Sequence, residues 1–332
     1  MKPYVTIIWL NYNSGSILDV AKESLLAIKR FDYPNYELII VDNCSTDDSL
    51  KQIIEYIDEI KLNAKVLKSS RNLGFTGGNN LAYRHRNPQA KYVALINSDL
   101  IPELDSLTEL VNALESDENI GSVQGITFNK NMTRVDSSGD YLDEALRPYP
   151  NVGDIPTRVR DISYADGSYC VVRVEALKHI QGDYLFDEEL FAYLEDALLG
   201  VKLWNNGYTV KAVPATVGRH LRGGSSKSTF AAIQSFKNKA AVRQVIFTHF
   251  GCLYFYRIFL LSLFQCLLHS KHTPTMSSYI KAFVEGSMIG SRLKSKGIHL
   301  SLYKAPYVKL NILRSIVVPR RKIGVSLDDV VF

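Results

Sequence analysis

The first hundred residues alternate short, β-rich apolar runs with longer stretches whose apolar residues recur at helical spacing. The apolar runs, which predict strands, are residues 5–10, 36–41, 66–67 and 92–96. The helical stretches are residues 17–28, a segment that ends at Ile60 and can be capped by Ser45 or Thr46, and residues 79–86. Strands that alternate with helices form an open, mostly parallel sheet with helices on both faces, so the predicted fold class is α/β and Rossmann-like.

Polar residues follow three of these strands directly, at their carboxyl ends. The three clusters are Asn11-Tyr12-Asn13, Asp42-Asn43 and Asn97-Ser98-Asp99. Ligands of open α/β sheets bind beyond the carboxyl ends of the strands, and parallel strands bring those ends to one edge. The sequence therefore predicts a polar ligand site at one edge of the sheet.

A glycine-rich segment, residues 71–80, leads into the predicted helix at Asn79. Its three glycines and Thr76 can present backbone N–H groups and a helix N-terminus to an anion. The spacing matches neither the dinucleotide fingerprint nor the P-loop, which argues against a dehydrogenase or a kinase. Glycines that serve only tight packing are the alternative, and the sequence leaves both interpretations open.

Three further positions carry side chains suited to chemistry. Asp99, just past a buried strand, can bind a divalent cation, although Asp is also common in such turns. Glu195 and Asp196 begin a predicted helix, where a catalytic base and a plain preference of carboxylates for the helix N-terminus explain them equally well. His220 ends a strand and can ligate a metal through a neutral ring nitrogen, but a lone histidine is more often structural.

Beyond residue 122 the pattern becomes less regular. Residues 123–170 are predicted to be irregular and rich in turns. The regular elements expected next are a strand at 169–174, a helix at 195–204 followed by a terminating Gly207, and a strand at 208–213. Helices rich in aromatic and basic residues are expected after about residue 226. We therefore divide the chain into a sheet-based domain at residues 1–226 and a helical region at residues 227–332.

The net charge of +5 conceals two regions of opposite sign. Residues 1–218 contain 21 basic and 31 acidic residues, whereas residues 219–332 contain 18 basic and 3 acidic residues. This asymmetry predicts that the second region faces an anionic partner, either phospholipid or a lipid pyrophosphate, with a solvated basic surface as the alternative. Nucleic acid is not an expected partner.

Residues 245–268 are long and apolar enough to cross a bilayer, but Arg257 and Gln265 interrupt them. We therefore expect a helix that lies in the plane of the membrane surface. A core position or the interface of a homo-oligomer is the alternative, and a spanning helix is the least favoured interpretation.

The N-terminus runs directly into a strand-like stretch at Tyr4 rather than into a cleavable signal peptide. The four cysteines show no metal-ligand or redox spacing, which predicts free thiols in a reducing compartment. Together with the basic second region, these features predict a cytoplasmic protein that is peripheral on the cytoplasmic face of the membrane.

Taken together and in order, the motifs resemble family 2 of the inverting glycosyltransferases, which have the GT-A fold. The resemblance covers about residues 4–226 and is greatest to the branches that transfer rhamnose-like or galactofuranose-like sugars. The segments that carry it are residues 5–13, 39–47, 72–80, 95–99, 186–196 and 207–220. Six motifs in the right order are far more specific than any one of them.

The resemblance implies a role for each motif. Tyr12 and Asp42 would hold the nucleotide base, with the neighbouring side chains of Asn11, Asn13 and Asn43 close by. Arg71 and Asn72 would shape the nucleotide pocket. The donor sugar and diphosphate would contact the remaining site residues, which are Gly74, Gly77, Asn80, Asn97 and Asp99.

The same resemblance implies a metal and a base. Asp99 and His220 would ligate Mg²⁺ or Mn²⁺ on the diphosphate of a nucleotide-sugar donor. Asp196, beside Glu195, would deprotonate a hydroxyl of a glycan or lipid-linked sugar acceptor. The sugar would then be transferred in a single displacement that inverts the anomeric centre.

Two positions depart from the family pattern. Asn97 replaces an aspartate and leaves one fewer carboxylate for a metal, and Leu198 stands where a further acidic residue is common. These departures keep a non-catalytic nucleotide- or glycan-binding module open as an alternative function. A polyprenyl-phosphate sugar synthase, whose acceptor is a lipid phosphate, is the alternative within the enzyme class.

Overall fold

The computed structural model describes residues 2–150, 155–221, 229–250, 275–310 and 326–332. The elements of the N-terminal half are β1 (Val5–Asn11), α1 (Leu18–Lys29), β2 (Tyr36–Asp42), α2 (Ser49–Glu59), β3 (Lys65–Lys68), α3 (Gly74–Arg84), β4 (Tyr92–Asn97), β5 (Leu100–Pro102), α4 (Ser106–Glu115), β6 (Ile120–Asn129), β7 (Val135–Ser137), β8 (Tyr141–Asp143) and β9 (Pro148–Tyr149).

The remaining elements complete the sheet and add the C-terminal helices. They are β10 (Arg160–Asp161), β11 (Tyr169–Arg173), α5 (Val174–Gln181), α6 (Glu195–Asn205), β12 (Thr209–His220), α7 (Thr229–Val245), β13 (Ile246–Phe247), α8 (Met276–Ser295), β14 (Leu300–Ser301), β15 (Tyr307–Val308) and β16 (Val330–Val331).

The central sheet has the strand order β10-β12-β6-β11-β4-β1-β2-β3. Strands β3, β2, β1 and β4 are parallel neighbours, and β12 is parallel to β6. Strand β11 runs antiparallel between β4 and β6. The predicted α/β class with a mostly parallel sheet is therefore confirmed.

Apolar side chains bury both faces of this sheet, because the inner strands consist of almost uninterrupted Val, Ile and Leu. One face packs Ile7, Trp9 and Ile40 against α1 and α4, and the other face packs Ile8, Ile39 and Leu95 against α3 and α5. A core with two covered faces holds the strand ends in fixed positions.

Three predicted boundaries were wrong. Helix α2 begins at Ser49, with Asp48 in the N-cap position, so neither Ser45 nor Thr46 caps it. Helix α3 begins at Gly74 rather than Asn79, and it includes most of the glycine-rich segment. Residues 120–129 form one long buried strand, although an irregular stretch was predicted from residue 123.

The C-terminal region packs onto the sheet-based domain. Strand β15 pairs with β8, and one apolar cluster joins Leu190 and Leu198 to Val242, Ile289 and Leu302. The predicted membrane segment, residues 245–268, lies mostly outside the described residues, as do Cys252 and Cys266. Within the described ranges no helix is long and apolar enough to cross a membrane, and Cys44 and Cys170 are free thiols.

Candidate active site

The polar clusters lie together at one edge of the sheet. In the register of the parallel strands, Asn11 is opposite Asp42, and Leu10 is opposite Asn97. The buried Nδ2 of Asn11 donates to Oδ1 of Asp42 at 2.8 Å. The expectation that the strand ends converge therefore holds, because the register brings the ends of β1, β2 and β4 to one level.

One end of this edge is open to solvent. Tyr12 is 48% exposed just past β1. Asn13 adopts a left-handed conformation with φ of 49°, and its Oδ1 accepts from the backbone N–H of Thr46 at 2.7 Å. Arg71 is also exposed. The exposed ring of Tyr12 offers a planar nucleotide base a surface to stack on, and the carboxylate of Asp42, at the end of the neighbouring strand, offers it a polar group to contact.

The glycines of α3 serve close packing. A Cβ atom on Gly78 would lie 2.6 Å from Cδ1 of Leu10. A Cβ atom on Gly74 would lie 2.3 Å from the carbonyl oxygen of Phe191, and one on Gly77 would lie 2.8 Å from Cβ of Leu73. The helix can approach β1 and the 190–194 segment this closely only because these positions carry no side chain.

Asparagine side chains tie the start of α3 to its surroundings. Asn43 donates to Oδ1 of Asn72 at 3.1 Å and to the carbonyl of Gly74 at 3.0 Å. Asn80 donates to the carbonyl of Phe186 at 2.8 Å and accepts from the N–H groups of Leu185 and Phe186. These amides fix the position of α3 at the polar edge of the sheet through hydrogen bonds within the protein.

His220 lies between two carboxylates. Its Nε2 is 3.0 Å from Oδ1 of Asp99, and its Nδ1 is 3.2 Å from Oδ2 of Asp136. Burial lowers the pKa of His220, but the hydrogen bonds to Asp136 and Asp99 outweigh it and raise the pKa to about 9. The family resemblance implied that His220 and Asp99 lie together as metal ligands, and it did not include the contact with Asp136.

A β-bulge aims Asp136 at His220. Thr127 pairs with Ser137 and Phe128 pairs with Val135, so Asp136 is the extra residue on β7. Bulges re-aim a side chain that a regular strand would send to the other face. No residue pattern in the sequence marks this bulge, which explains why Asp136 could not be identified from the sequence.

Asp99 and His220 offer a carboxylate oxygen and a ring nitrogen side by side, joined by a hydrogen bond of 3.0 Å. Carboxylate oxygens suit Mg²⁺ and Mn²⁺, and a cation that binds to both side chains would displace the proton that they share. A carboxylate on the other ring nitrogen, as Asp136 provides, orients a metal-bound histidine. Across the described part of the chain, no three His, Cys, Asp or Glu side chains form a metal site.

Glu195 and Asp196 begin α6; the carboxyl group of Glu195 is buried, and Asp196 is partly exposed. Burial and the nearby Asp166 charge raise the pKa of Asp196 to about 7, while hydrogen bonds from Gly167 and Ala197 act in the opposite sense. Burial and the charge of Asp196 raise the pKa of Glu195 well above its ordinary value. No partner among the described residues reaches Oε2 of Glu195.

The loop 166–168 connects the carboxylate pair to the motif at Asn97. The N–H of Gly167 donates to Oδ2 of Asp196 at 3.2 Å, and the carbonyl of Ser168 accepts from the N–H of Asn97 at 2.9 Å. Asp166 therefore belongs to the site, although it precedes a strand. Site residues were predicted only after the carboxyl ends of strands. Asp166 was missed because β11 is antiparallel and so begins at the edge where β1 and β4 end.

Leu198, the second departure from the family pattern, lies 1% exposed in the apolar cluster beneath α7 and α8. A carboxylate at this position would be buried among apolar side chains, which is costly for an ionised group. The carboxyl groups that this region brings to the site are therefore Glu195, Asp196 and Asp166.

Comparison with solved structures supports the fold. A Staphylococcus aureus TarS fragment, residues 1–349, superposes with a TM-score of 0.55 at 19% identity, over 88% of this chain and 82% of that one. GalNAc-T7 in complex with UDP, GalNAc and Mn²⁺ gives a TM-score of 0.63 at 15% identity, over 90% of this chain and 58% of that one. At these identities the likeness shows a shared GT-A-type fold.

Comparison of sequences identifies the family. A Bacillus subtilis protein that carries the name putative teichuronic acid biosynthesis glycosyltransferase TuaG is 31% identical over 98 residues, 30% of this chain and 36% of that protein. The match thus spans about a third of that relative. The family description "Glycosyl transferase family 2" matches residues 6–185, more than half of the chain. The protein therefore belongs to glycosyl transferase family 2.

Proposed function

We propose that the protein is an inverting glycosyltransferase that moves a sugar from a nucleoside diphosphate to a hydroxyl group of an acceptor. The observation that carries this proposal is the connection between two polar groups at one sheet edge. Asp99 and His220 lie 3.0 Å apart, and the loop 166–168 links the neighbouring Asn97 to Asp196. Such a transfer needs groups that stabilise the charged leaving group and, next to them, a base that deprotonates the acceptor hydroxyl.

Asp196 has the properties of a general base. Its pKa of about 7 places it half deprotonated near neutral pH, where a base is most effective. It takes the proton of the acceptor hydroxyl as that oxygen attacks the anomeric carbon from the face opposite the leaving diphosphate. Burial and the neighbouring Asp196 charge also hold the pKa of Glu195 well above its ordinary value.

The donor would occupy the edge between Tyr12 and His220. Tyr12 and Asp42 would hold the base of the nucleotide, while the exposed Arg71 and Asn72 would shape the nucleotide pocket. Asp99 and His220 would hold Mg²⁺ or Mn²⁺, which would stabilise the negative charge of the departing diphosphate. Solved neighbours support a nucleotide-sugar donor and a divalent cation, since TarS has been solved with UDP-GlcNAc and GalNAc-T7 with UDP and Mn²⁺.

The acceptor is proposed to be a glycan or a lipid-linked sugar presented at a membrane. Helix α8 exposes Ile280, Val284 and Met288, which recur at helical spacing along one face. The side chain of Lys281 is 79% exposed next to this stripe. An exposed apolar stripe with a lysine beside it suits the surface of an anionic bilayer.

The motif resemblance favours a rhamnose-like or galactofuranose-like donor sugar. A polyprenyl-phosphate sugar synthase differs in its acceptor, a lipid phosphate that needs no general base. The base-like Asp196 favours the hydroxyl acceptor over that alternative. A non-catalytic binding module is the other alternative, and donor binding without hydrolysis or transfer would favour it.

A nucleotide panel tests the proposal directly. UDP, dTDP, GDP, CMP and their common sugars would each be added to the protein with and without Mn²⁺, and the melting temperature measured. We expect one nucleoside diphosphate to stabilise the protein in a metal-dependent way, by about 2.7 kcal/mol at a hundredfold excess over Kd. If no nucleotide stabilises the folded protein in the presence of metal, the donor site is wrong.

A further inference from the structure

The segment that leads into Glu195 has an unfavourable backbone. Phe191, Tyr193 and Leu194 have φ angles of 61°, 72° and 69°, although none of them is glycine. Side chains other than glycine rarely adopt positive φ, and such residues persist only where their surroundings hold them in place. Something outside the segment must therefore fix the entry into α6.

Asn238 of α7 is positioned to do this. Its Nδ2 lies 2.7 Å from the carbonyl oxygens of Leu190, Ala192 and Tyr193. The residue is 0% exposed, so water cannot replace these bonds. Gln234, one turn earlier on α7, donates to the Leu190 carbonyl at 2.8 Å. Two amide side chains of the C-terminal region thus hold the whole turn before the carboxylate pair.

Helix α3 holds the same segment from the opposite side. The N–H of Thr76 donates to the carbonyl of Phe191 at 3.0 Å, and Gly74 leaves room for that carbonyl. The segment 190–194 is therefore held between the glycine-rich helix of the donor side and α7. The two helices use different carbonyls, since α7 takes those of residues 190, 192 and 193 and α3 takes that of residue 191.

We propose that Asn238 is a positioning residue that sets the location of Asp196 and its access to water through its bonds to the 190–193 carbonyls. The proposal rests on the proposed function in that Asp196 is taken as the base. Glu195 and Asp196 follow the held turn immediately, and the carbonyl of Leu194 accepts the first helical bond, from Leu198. A turn that relaxes would move both carboxyl groups and admit water to them.

The test compares Asn238→Ala with Gln244→Ala. Gln244 is a matched control, because it also lies on α7 and its amide donates to a carbonyl, that of Ser287 at 2.7 Å, on α8 rather than on the 190–194 segment. Hydrogen–deuterium exchange of residues 190–197 is measured first, since it does not depend on activity. We expect exchange in this segment to accelerate at least about tenfold in Asn238→Ala and to stay unchanged in Gln244→Ala.

Enzyme kinetics complete the test. With the donor that the nucleotide panel identifies, Asn238→Ala should lower kcat at least about tenfold with the nucleotide Kd unchanged. Its kcat–pH profile should shift to lower pH, because a hydrated Asp196 has a lower pKa than a buried one. Equal losses in both variants, with unchanged exchange and pH profile, would show that Asn238 is only structural.

Two further outcomes are distinguishable. If Asn238→Ala does not fold, Gln234→Ala removes one bond to the Leu190 carbonyl and one to Oδ1 of Asn238, and it carries the same exchange and pH comparison. If the wild-type protein transfers no sugar, the proposed function fails, yet the exchange result still decides whether Asn238 holds the segment. Unchanged exchange in both variants would overturn the proposal whatever the activity.

Discussion

Nε2 of His220 lies 3.0 Å from Oδ1 of Asp99, although 121 residues separate the two in the sequence. Strands β5 and β12 bring them together, since Leu100 pairs with His220 and the N–H of Leu221 donates to the carbonyl of Asp99. The spacing is therefore a property of the sheet rather than of flexible side chains. A pair held in this way needs little rearrangement to hold a cation.

The first prediction concerns Asp136, which contacts the other ring nitrogen of His220. Asp136→Asn should weaken Mn²⁺ binding about 10-fold to 100-fold, because it loses the charged acceptor that orients the ring. Binding would be measured by electron paramagnetic resonance of free Mn²⁺ with UDP present. His220→Ala should abolish metal-dependent nucleotide binding altogether. Full Mn²⁺ affinity in Asp136→Asn would contradict the orienting role.

The second prediction separates binding from chemistry at Asp196. Asp196→Asn keeps the shape of the side chain and removes the base, so kcat should fall about 100-fold to 10,000-fold. Nucleotide affinity, measured by calorimetry, should remain close to that of the wild type. Glu195→Gln is the matched comparison and should cost less, since Asp196 rather than Glu195 is the proposed base. A variant Asp196→Asn that still turns over at the wild-type rate would remove Asp196 as the base.

The third prediction distinguishes packing from backbone strain at Gly74, whose φ is 72°. Gly74→Ala adds both the cost of positive φ and a Cβ 2.3 Å from the Phe191 carbonyl. Gly297→Ala is the control, because Gly297 has a φ of 81° and an added Cβ would meet no atom of the described residues within 4 Å. We expect a loss of about 1 kcal/mol for Gly297→Ala and about 1–3 kcal/mol more for Gly74→Ala in chemical denaturation. Equal losses would mean that α3 does not press on the 190–194 segment.

The fourth prediction concerns the stripe on α8. Replacing Ile280, Val284 and Met288 by serine should reduce cosedimentation with vesicles that contain phosphatidylserine, because the apolar face that enters the headgroup region is lost. Leu104→Ser is the control, since Leu104 is 57% exposed but lies just before α4 in the sheet-based domain. Wild-type binding should fall with added salt. Undiminished vesicle binding of the triple variant would exclude α8 as the contact.

The inner strands could be predicted from the sequence because their side chains are apolar on both faces, a pattern that needs no neighbour to explain it. Strand β6 was missed because it carries the polar residues Ser122, Gln124 and Thr127. These side chains are buried, and their hydrogen bonds are made to Val171 and Ser137 on other strands. The start of α3 was misplaced because glycine disfavours helices locally, whereas here packing against Leu10 and Phe191 requires it.

The site residues divide in the same way, into those that local sequence patterns locate and those that depend on distant contacts. Residues just past parallel strands, such as Asp42 and Asp99, could be located from the order of strands alone. Asp136 depends on a bulge and Asp166 on the direction of β11, and Asn238 contacts a segment 45 residues earlier in the chain. These are consequences of pairing between distant elements, which periodicity within a short window cannot register.

The last prediction is the pH dependence of transfer. The pKa of Asp196 is raised from its ordinary value to about 7, so below that pH the residue carries the proton and cannot accept another. Transfer should therefore increase as pH rises through about 7 and level off above it, with kcat falling about tenfold for each pH unit below the midpoint. The measurement is kcat at saturating donor, acceptor and Mn²⁺ from about pH 5 to about pH 9. Asp166→Asn removes a charge that raises this pKa, so its midpoint should move to lower pH. A profile that is flat between about pH 5 and about pH 8 would show that no group with this pKa limits the reaction.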